Sequence, residues 1–537
     1  MTRIAPLLSA IACACFAAAA PAATLRVAPD GAGGAHRTLG DALKQLQPGD
    51  ELVIGAGTYR ETLQLPVRDW GGGQTVIRGE RADAVILKGS DPVEGWEPAG
   101  EGVFVKRGWS ANSQQVFVDG EPLRQIGGSI LNGYPDRADH PMRSLHASQG
   151  GIWPGRVAGG RAQLVDNSFF YDAAKQSLYV KLRAGSPEGR LVEASVRPHL
   201  VFGKDLKRLS LRDLQGRHAN TTALNQSGAI TLLGDELRLE RVTVTQVDGN
   251  GFDLTGDRIT VSASAANHCG QVGMKLRGRG NRIADSETSY NNTRGFNKWW
   301  EAGGAKFVGA GGLKDSEIVN HRAIGNRGDG LWFDWLNDNN RVHRSLVAYN
   351  SGFGIHYEAS SRARVHDNYV FGNGQRGIYL PNSPESVVAH NLVAHNGLEG
   401  IVLLNERQPS KPEITARAAR VVGNVLAWNG RAAVILPAGT DGNASDYNVY
   451  FHEAEPPSFS FGWGTRDSPV RKGLENWRTA SAQDAHSRSE QLALPPALHR
   501  ALQARETAPD WSPVLAAAER LGVRHEGLAA GPSRSAR

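Results

Sequence analysis

The chain has 537 residues, with 64 Gly and 26 Pro, 40% apolar residues and 21% charged residues. That balance excludes a collagen-like or wholly disordered chain and permits a sizeable core. Lys and Arg number 60 against 54 Asp and Glu, so the net charge is only +6. Without a basic block, nucleic acid is not an expected partner.

Met1-Thr2-Arg3, the apolar run from Ile4 to Ala20 and the small residues Ala20-Pro21-Ala22 have the layout of an export signal, assigned here to 1–23. The run is short and weakly apolar for a membrane span, and no later stretch is long enough. The protein is therefore expected to be exported, periplasmic or extracellular, without a membrane span and as a monomer. Loss of Cys13 and Cys15 with the leader would leave Cys269 alone, so no intramolecular disulfide could form.

Residues 24–94 are expected to hold an N-terminal cap and the first coils of a solenoid. Thr38-Leu39-Gly40-Asp41 opens a helix with capping-box-like spacing, and Leu39, Ala42, Leu43 and Leu46 line one face of it. Pro48-Gly49-Asp50 ends the helix, and Glu51 leads into a strand. Residues 95–200 read as a β-rich insertion. Val116 to Leu123 forms a hairpin, and Ser168 to Leu182 holds two further strands.

Residues 201–455 carry a repeat. Gly228, Gly251, Gly273, Gly304, Gly330, Gly354, Gly377 and Gly400 each open a short apolar-polar-apolar segment, at intervals of 23, 22, 31, 26, 24, 23 and 23. Asn326, Asn350, Asn373 and Asn396 form a second series, and Asn368, Asn391 and Asn424 a third. Short strands, Asn and Gly turns and this period describe a right-handed parallel β-helix, with Asn side chains bonding from coil to coil. The Leu frame of leucine-rich repeats is missing. Beyond 455, the segment 456–537 reads as a C-terminal extension with helices around Leu492 to Glu506 and Val514 to Leu521 and a free tail from Gly531 to Arg537.

Stacking the coils places equivalent residues about 4.8 Å apart. The residue after each Gly points inward. The next one points outward, giving the column Ile230, Asp253, Lys275, Lys306, Trp332, His356, Tyr379 and Val402. Two positions further, Arg277, Asp334 and Glu358 share the same face. Asp334 and Glu358 then oppose each other on adjacent coils. Two carboxylates this close do not both ionise easily, which suits an acid and a base. The spacing alone favours neither a retaining nor an inverting pair. The 31-residue interval holds Trp299-Trp300-Glu301, an expected sugar platform beside Lys306, with Asn337 on the same edge.

Among the remaining residues, Asp248, Asp253 and Asp329 could assist a Ca²⁺ ion, although their spacing matches no known loop. No other metal or cofactor is expected. Cys269 reads as a buried small side chain, and His321 and His343 as turn residues.

The runs Trp299 to Phe307, Gly330 to Asp334 and Gly354 to Glu358, with the insertion and the segment Trp477 to Ser487, resemble exported β-helix carbohydrate-active enzymes of the pectate-lyase-like superfamily. The nearest likeness is to β-helix glycoside hydrolases that include fucosidases and xylanases. The resemblance implies catalytic carboxylates at Asp334 and Glu358. The Asp cluster of polygalacturonase-like hydrolases is missing. Three functions remain open. The first is a glycoside hydrolase acting on a polysaccharide or oligosaccharide through Asp334 and Glu358. The second is a polysaccharide lyase in which Lys306 or His356 takes the proton, with Lys275 and Arg277 offsetting the uronate charge. The third is a carbohydrate-binding surface protein using the Trp face alone.

Overall fold

The computed structural model describes residues 22–71, 73–128, 157–221, 227–309, 311–406, 414–438, 442–462 and 470–523. The leader up to residue 21, with Cys13 and Cys15, the tail from Gly531 and the stretch 129–156 of the expected insertion lie outside them.

Coils stack into a parallel β-helix whose walls are sheets of 16, 14 and seven strands among the described residues. The inward positions explain the stacking. Ala305, Leu331, Ile355, Ile378 and Ile401 share one buried core cluster. Two residues along, the rings of Phe307, Phe333 and Tyr357 lie 4.5 and 4.8 Å apart, about one strand spacing per coil.

The recurring glycines serve close approach rather than left-handed turns. A Cβ on Gly330 would lie 2.7 Å from the carbonyl oxygen of Gly354, and one on Gly354 would lie 2.5 Å from that of Gly377. No side chain fits between coils at this position. At the adjacent turns the Asn series bond as expected. Asn326 Nδ2 donates to Asn350 Oδ1 at 2.8 Å, and Asn350 and Asn373 continue the chain at 2.9 Å each. The series begins one coil earlier, at Asn291, and ends one coil later, at Asn429. The Asn368 series likewise continues through Asn424 to Asn448.

Both ends of the core are closed. At the N-terminal end, helix Leu39–Gln45 starts at Thr38, whose hydroxyl accepts from the Asp41 N–H at 3.1 Å. Its Leu39, Ala42 and Leu43 pack into the main core. At the other end helix Leu474–Ser481, absent from the sequence reading, lays Trp477 over Phe459. The Trp477 indole donates to the buried Asp484 carboxylate at 2.8 Å. Helices Pro496–Gln503 and Ser512–Arg520 cover the flank formed by Leu346, Leu392 and Val425. No described helix is long and apolar enough to cross a membrane.

Between residues 90 and 195 the chain leaves the solenoid and builds two small sheets. Val116–Val118 pairs with Glu121–Pro122, and Ser168–Asp172 with Ser177–Lys181, both antiparallel.

Candidate active site

Four neighbouring strands of the 14-stranded sheet carry the site: Gly303–Phe307, Asp329–Asp334, Ile355–Glu358 and Ile378–Pro381. Their register is continuous. Lys306 pairs with Trp332, Trp332 with His356, and His356 with Tyr379. Asp334 stands opposite Glu358.

Each carboxylate has its own polar environment. Lys306 Nζ lies 3.0 Å from Asp334 Oδ2 and 3.5 Å from the centre of the Trp332 ring. The Trp332 indole donates to Glu358 Oε2 at 3.3 Å, and His356 Nε2 lies 3.5 Å from the same oxygen. Trp332 thus touches Glu358 through its indole N–H and the Asp334-bound ammonium through its face. The side chains of Asp334 and Glu358 keep 14% and 19% exposure, enough to meet a ligand.

The outward column was expected to form an open face. The structure covers it, because the longer 31-residue interval folds back over the sheet. Glu301 forms an ion pair with Lys275, and the Lys306 ammonium donates to the carbonyl of Trp300. Lys275 and Glu301 are both buried as a result, so each is occupied in anchoring the loop instead of facing a ligand. Arg277 is turned toward Asp253, at 2.6 Å, and Thr255, at 2.8 Å. Burial pushes the Asp253 carboxyl above the usual carboxylate range although Arg277 opposes this.

Of the adjacent tryptophans, Trp299 is the exposed one, at 39%. Its ring meets the edge of Phe353, with centroids 5.6 Å apart, while Lys298 covers it at 5.0 Å. Phe353 in turn contacts His356 and Tyr379, both at 4.9 Å. Trp299, Phe353 and Tyr379 therefore form one aromatic wall beside the carboxylates. The Tyr379 hydroxyl is bonded to Glu406, and burial holds its pKa well above the ordinary value.

Asn337 faces the interior. It was expected on the ligand edge, but its side chain is fully buried and donates to the Phe307 carbonyl at 3.1 Å. A turn amide satisfies interior carbonyls and is unavailable outside. Asp248, Asp253 and Asp329 do not converge on a cation. Asp248 faces Arg294 at 3.3 Å, Asp253 faces Arg277, and Asp329 faces His356 at 3.0 Å. Cys269 is buried, with its thiol pushed far up by desolvation.

The sequence reading missed two neighbours of the site. Asp329 contacts His356 across 27 positions, and Arg376 stacks over Tyr379 while pairing with Glu399. Both precede a repeat glycine (Gly330, Gly377), a column that strand alternation does not assign to the outer face.

Comparison with known proteins places this geometry in a shared fold. A family model described as a right handed beta helix region matches residues 302–440, the coils that carry the site. No curated protein matches the sequence. Among solved structures, a complex of XylC with xylose superposes with a TM-score of 0.57 at 15% identity, covering 81% of this chain and 84% of that one. A structure titled glycoside hydrolase gives 0.51 at 14% identity, covering 80% and 96%. The A-module of the Azotobacter vinelandii mannuronan C-5 epimerase AlgE4 gives 0.45 at 13%, covering 83% and 90%. At these identities the likeness is one of fold.

Proposed function

We propose that the protein is a glycoside hydrolase that acts on a polysaccharide or oligosaccharide, with Asp334 and Glu358 as its carboxylate pair. The observation that carries this reading is their register on adjacent strands of one face. One rung sets the two backbone positions about 4.8 Å apart, a spacing that suits the 5–5.5 Å carboxyl separation of retaining enzymes better than the roughly 6.5–9.5 Å that admits a water between the acids. The reaction proposed is therefore hydrolysis with retention. Asp334, paired with Lys306, attacks the anomeric carbon. Glu358 gives its proton to the leaving oxygen as that bond breaks. Glu358 then takes a proton from the water that displaces Asp334. Trp299, the exposed member of the aromatic wall, supplies the sugar platform, while Tyr379, expected to touch the ligand, is buried and only backs that wall through Phe353. The xylose in the XylC complex makes xylosides the first substrates to test. The export-signal layout of 1–23 supports a site of action outside the cytoplasm, periplasmic or extracellular.

Elimination is less well supported. An ammonium that donates to Asp334 and to the Trp300 carbonyl offers no lone pair to a substrate proton, and His356, the other expected base, is buried with Nε2 turned to Glu358. Lys275 and Arg277, which would offset a uronate, already face Glu301 and Asp253.

The test is turnover of 4-nitrophenyl β-D-xyloside and of a polysaccharide panel, followed by proton NMR of the first-formed anomer. Retained configuration and a loss of about 10²–10⁴-fold in Glu358→Gln are expected. An unsaturated, ultraviolet-absorbing product, or full activity in Glu358→Gln, would sink the assignment.

A further inference from the structure

We infer that Asp329 is a positioning residue for Glu358: it fixes the tautomer of His356, and that tautomer keeps a proton on Glu358. The inference rests on the role proposed for Glu358 and extends it to two residues behind the acid.

His356 Nδ1 lies 3.0 Å from Asp329 Oδ2, with the two side chains 6% and 3% exposed. The other oxygen of Asp329 accepts the Phe353 N–H at 2.8 Å, which fixes the carboxylate. The imidazole cannot turn over. It is stacked between Trp332 and Tyr379, at 5.1 and 5.0 Å, with Phe353 at 4.9 Å on its edge. A carboxylate only accepts hydrogen bonds, so Nδ1 carries the hydrogen. In a neutral ring Nε2 is then a bare lone pair. It is buried and has no hydrogen-bond partner among the described residues. The polar atom facing it is Glu358 Oε2 at 3.5 Å, which also accepts from the Trp332 indole.

A buried lone pair is matched only by a donor. A small closure of the 3.5 Å gap allows a protonated Glu358 to supply it. Glu358 thus rests as the acid. It delivers its proton to the leaving oxygen and regains one from the attacking water, while His356 stays neutral. The other charged groups around the ring stand behind its neighbours: Lys306 over Trp332, and Arg376 over Tyr379, whose hydroxyl bonds Glu406.

The test uses the full-length protein with ¹⁵N-histidine, and the spectrum of His356→Gln assigns the signal. Wild type is expected to show a protonated Nδ1 and a bare Nε2. Asp329→Asn preserves shape but presents an amide donor to Nδ1, so the tautomer should invert and Nε2–H should face Glu358. With xylobiose, whose leaving group needs a proton, kcat of Asp329→Asn should fall about 10²–10⁴-fold, the range of proton-transfer catalysis. With 2,4-dinitrophenyl β-D-xyloside, which leaves unaided, the loss should stay below about fivefold. An imidazolium at rest, an unchanged tautomer in Asp329→Asn, or equal losses on both substrates would overturn the inference. If Asp329→Asn does not fold, the resting wild-type spectrum still decides between bare Nε2 and imidazolium. If wild type turns over neither glycoside, the hydrolase reading falls, and the tautomer measurement still judges the contact between Asp329 and His356.

Discussion

Lys306 joins three parts of the site. Its ammonium meets Asp334, the Trp300 carbonyl and the face of Trp332, so one side chain holds an acid, a loop and an aromatic wall together. Lys306→Met keeps the stem over Trp332 and removes the charge. Asp334 then loses its cation, and the loop loses one tie to the sheet. Removing one partner of a buried pair costs about 3–5 kcal/mol. Urea unfolding should register a loss of that order, and kcat/KM should fall at least about 10²-fold. An unchanged midpoint would mean that the pair is solvated. At this scale the sequence was legible where a residue's place follows from strand alternation and coil stacking. Asp334 and Glu358 face each other because both positions follow from counting. Asp329 was not legible, because its contact with His356 depends on how the turn before Gly330 bends. Asn337 was misplaced for the same reason: a turn residue obeys no inside-outside alternation.

The Asn rows are elements in their own right. Asn373 Oδ1 accepts from the backbone N–H and from Nδ2 of Asn350, at 3.1 and 2.9 Å, while its Nδ2 donates to Val347 and to Asn396. Asn373→Ala strands several buried groups at once, and each unpaired one costs about 1–3 kcal/mol. A loss of about 3 kcal/mol in chemical unfolding is expected, with catalysis unaffected at temperatures where the variant stays folded. Sequence periodicity located these rows because each Asn repeats at the coil period. The same periodicity located the glycines and misjudged their cause. Helix Leu474–Ser481 escaped because eight residues, two of them buried, give too short a pattern for a helical period.

For the molecule as a whole, several histidines are sealed inside the stack. Burial lowers His321 to about 3 and His218 to about 4. An unfolded chain takes up these protons near pH 6.5, whereas the folded chain refuses them until well below that. Stability is therefore full above about pH 6.5 and declines as the pH falls toward the folded values. His321→Gln should flatten that decline, by about 3 kcal/mol between pH 6.5 and 4. Guanidinium unfolding at several pH values measures it, and parallel curves for the two proteins would remove His321 as the cause.

Asp334 and Glu358 stand one rung apart on a wall of stacked strands. Along this wall the backbone spacing between two equivalent outward positions is a whole number of rungs, each about 4.8 Å. A globular active site can drift through intermediate carboxylate separations, but a stacked coil changes in steps. One rung falls near the retaining range, and two rungs, about 9.6 Å, reach the outer edge of the inverting range. At fixed side-chain rotamers, a chain built this way changes the separation only by a whole rung. It would pass from one range to the other by moving a single carboxylate to the next coil, with the scaffold unchanged.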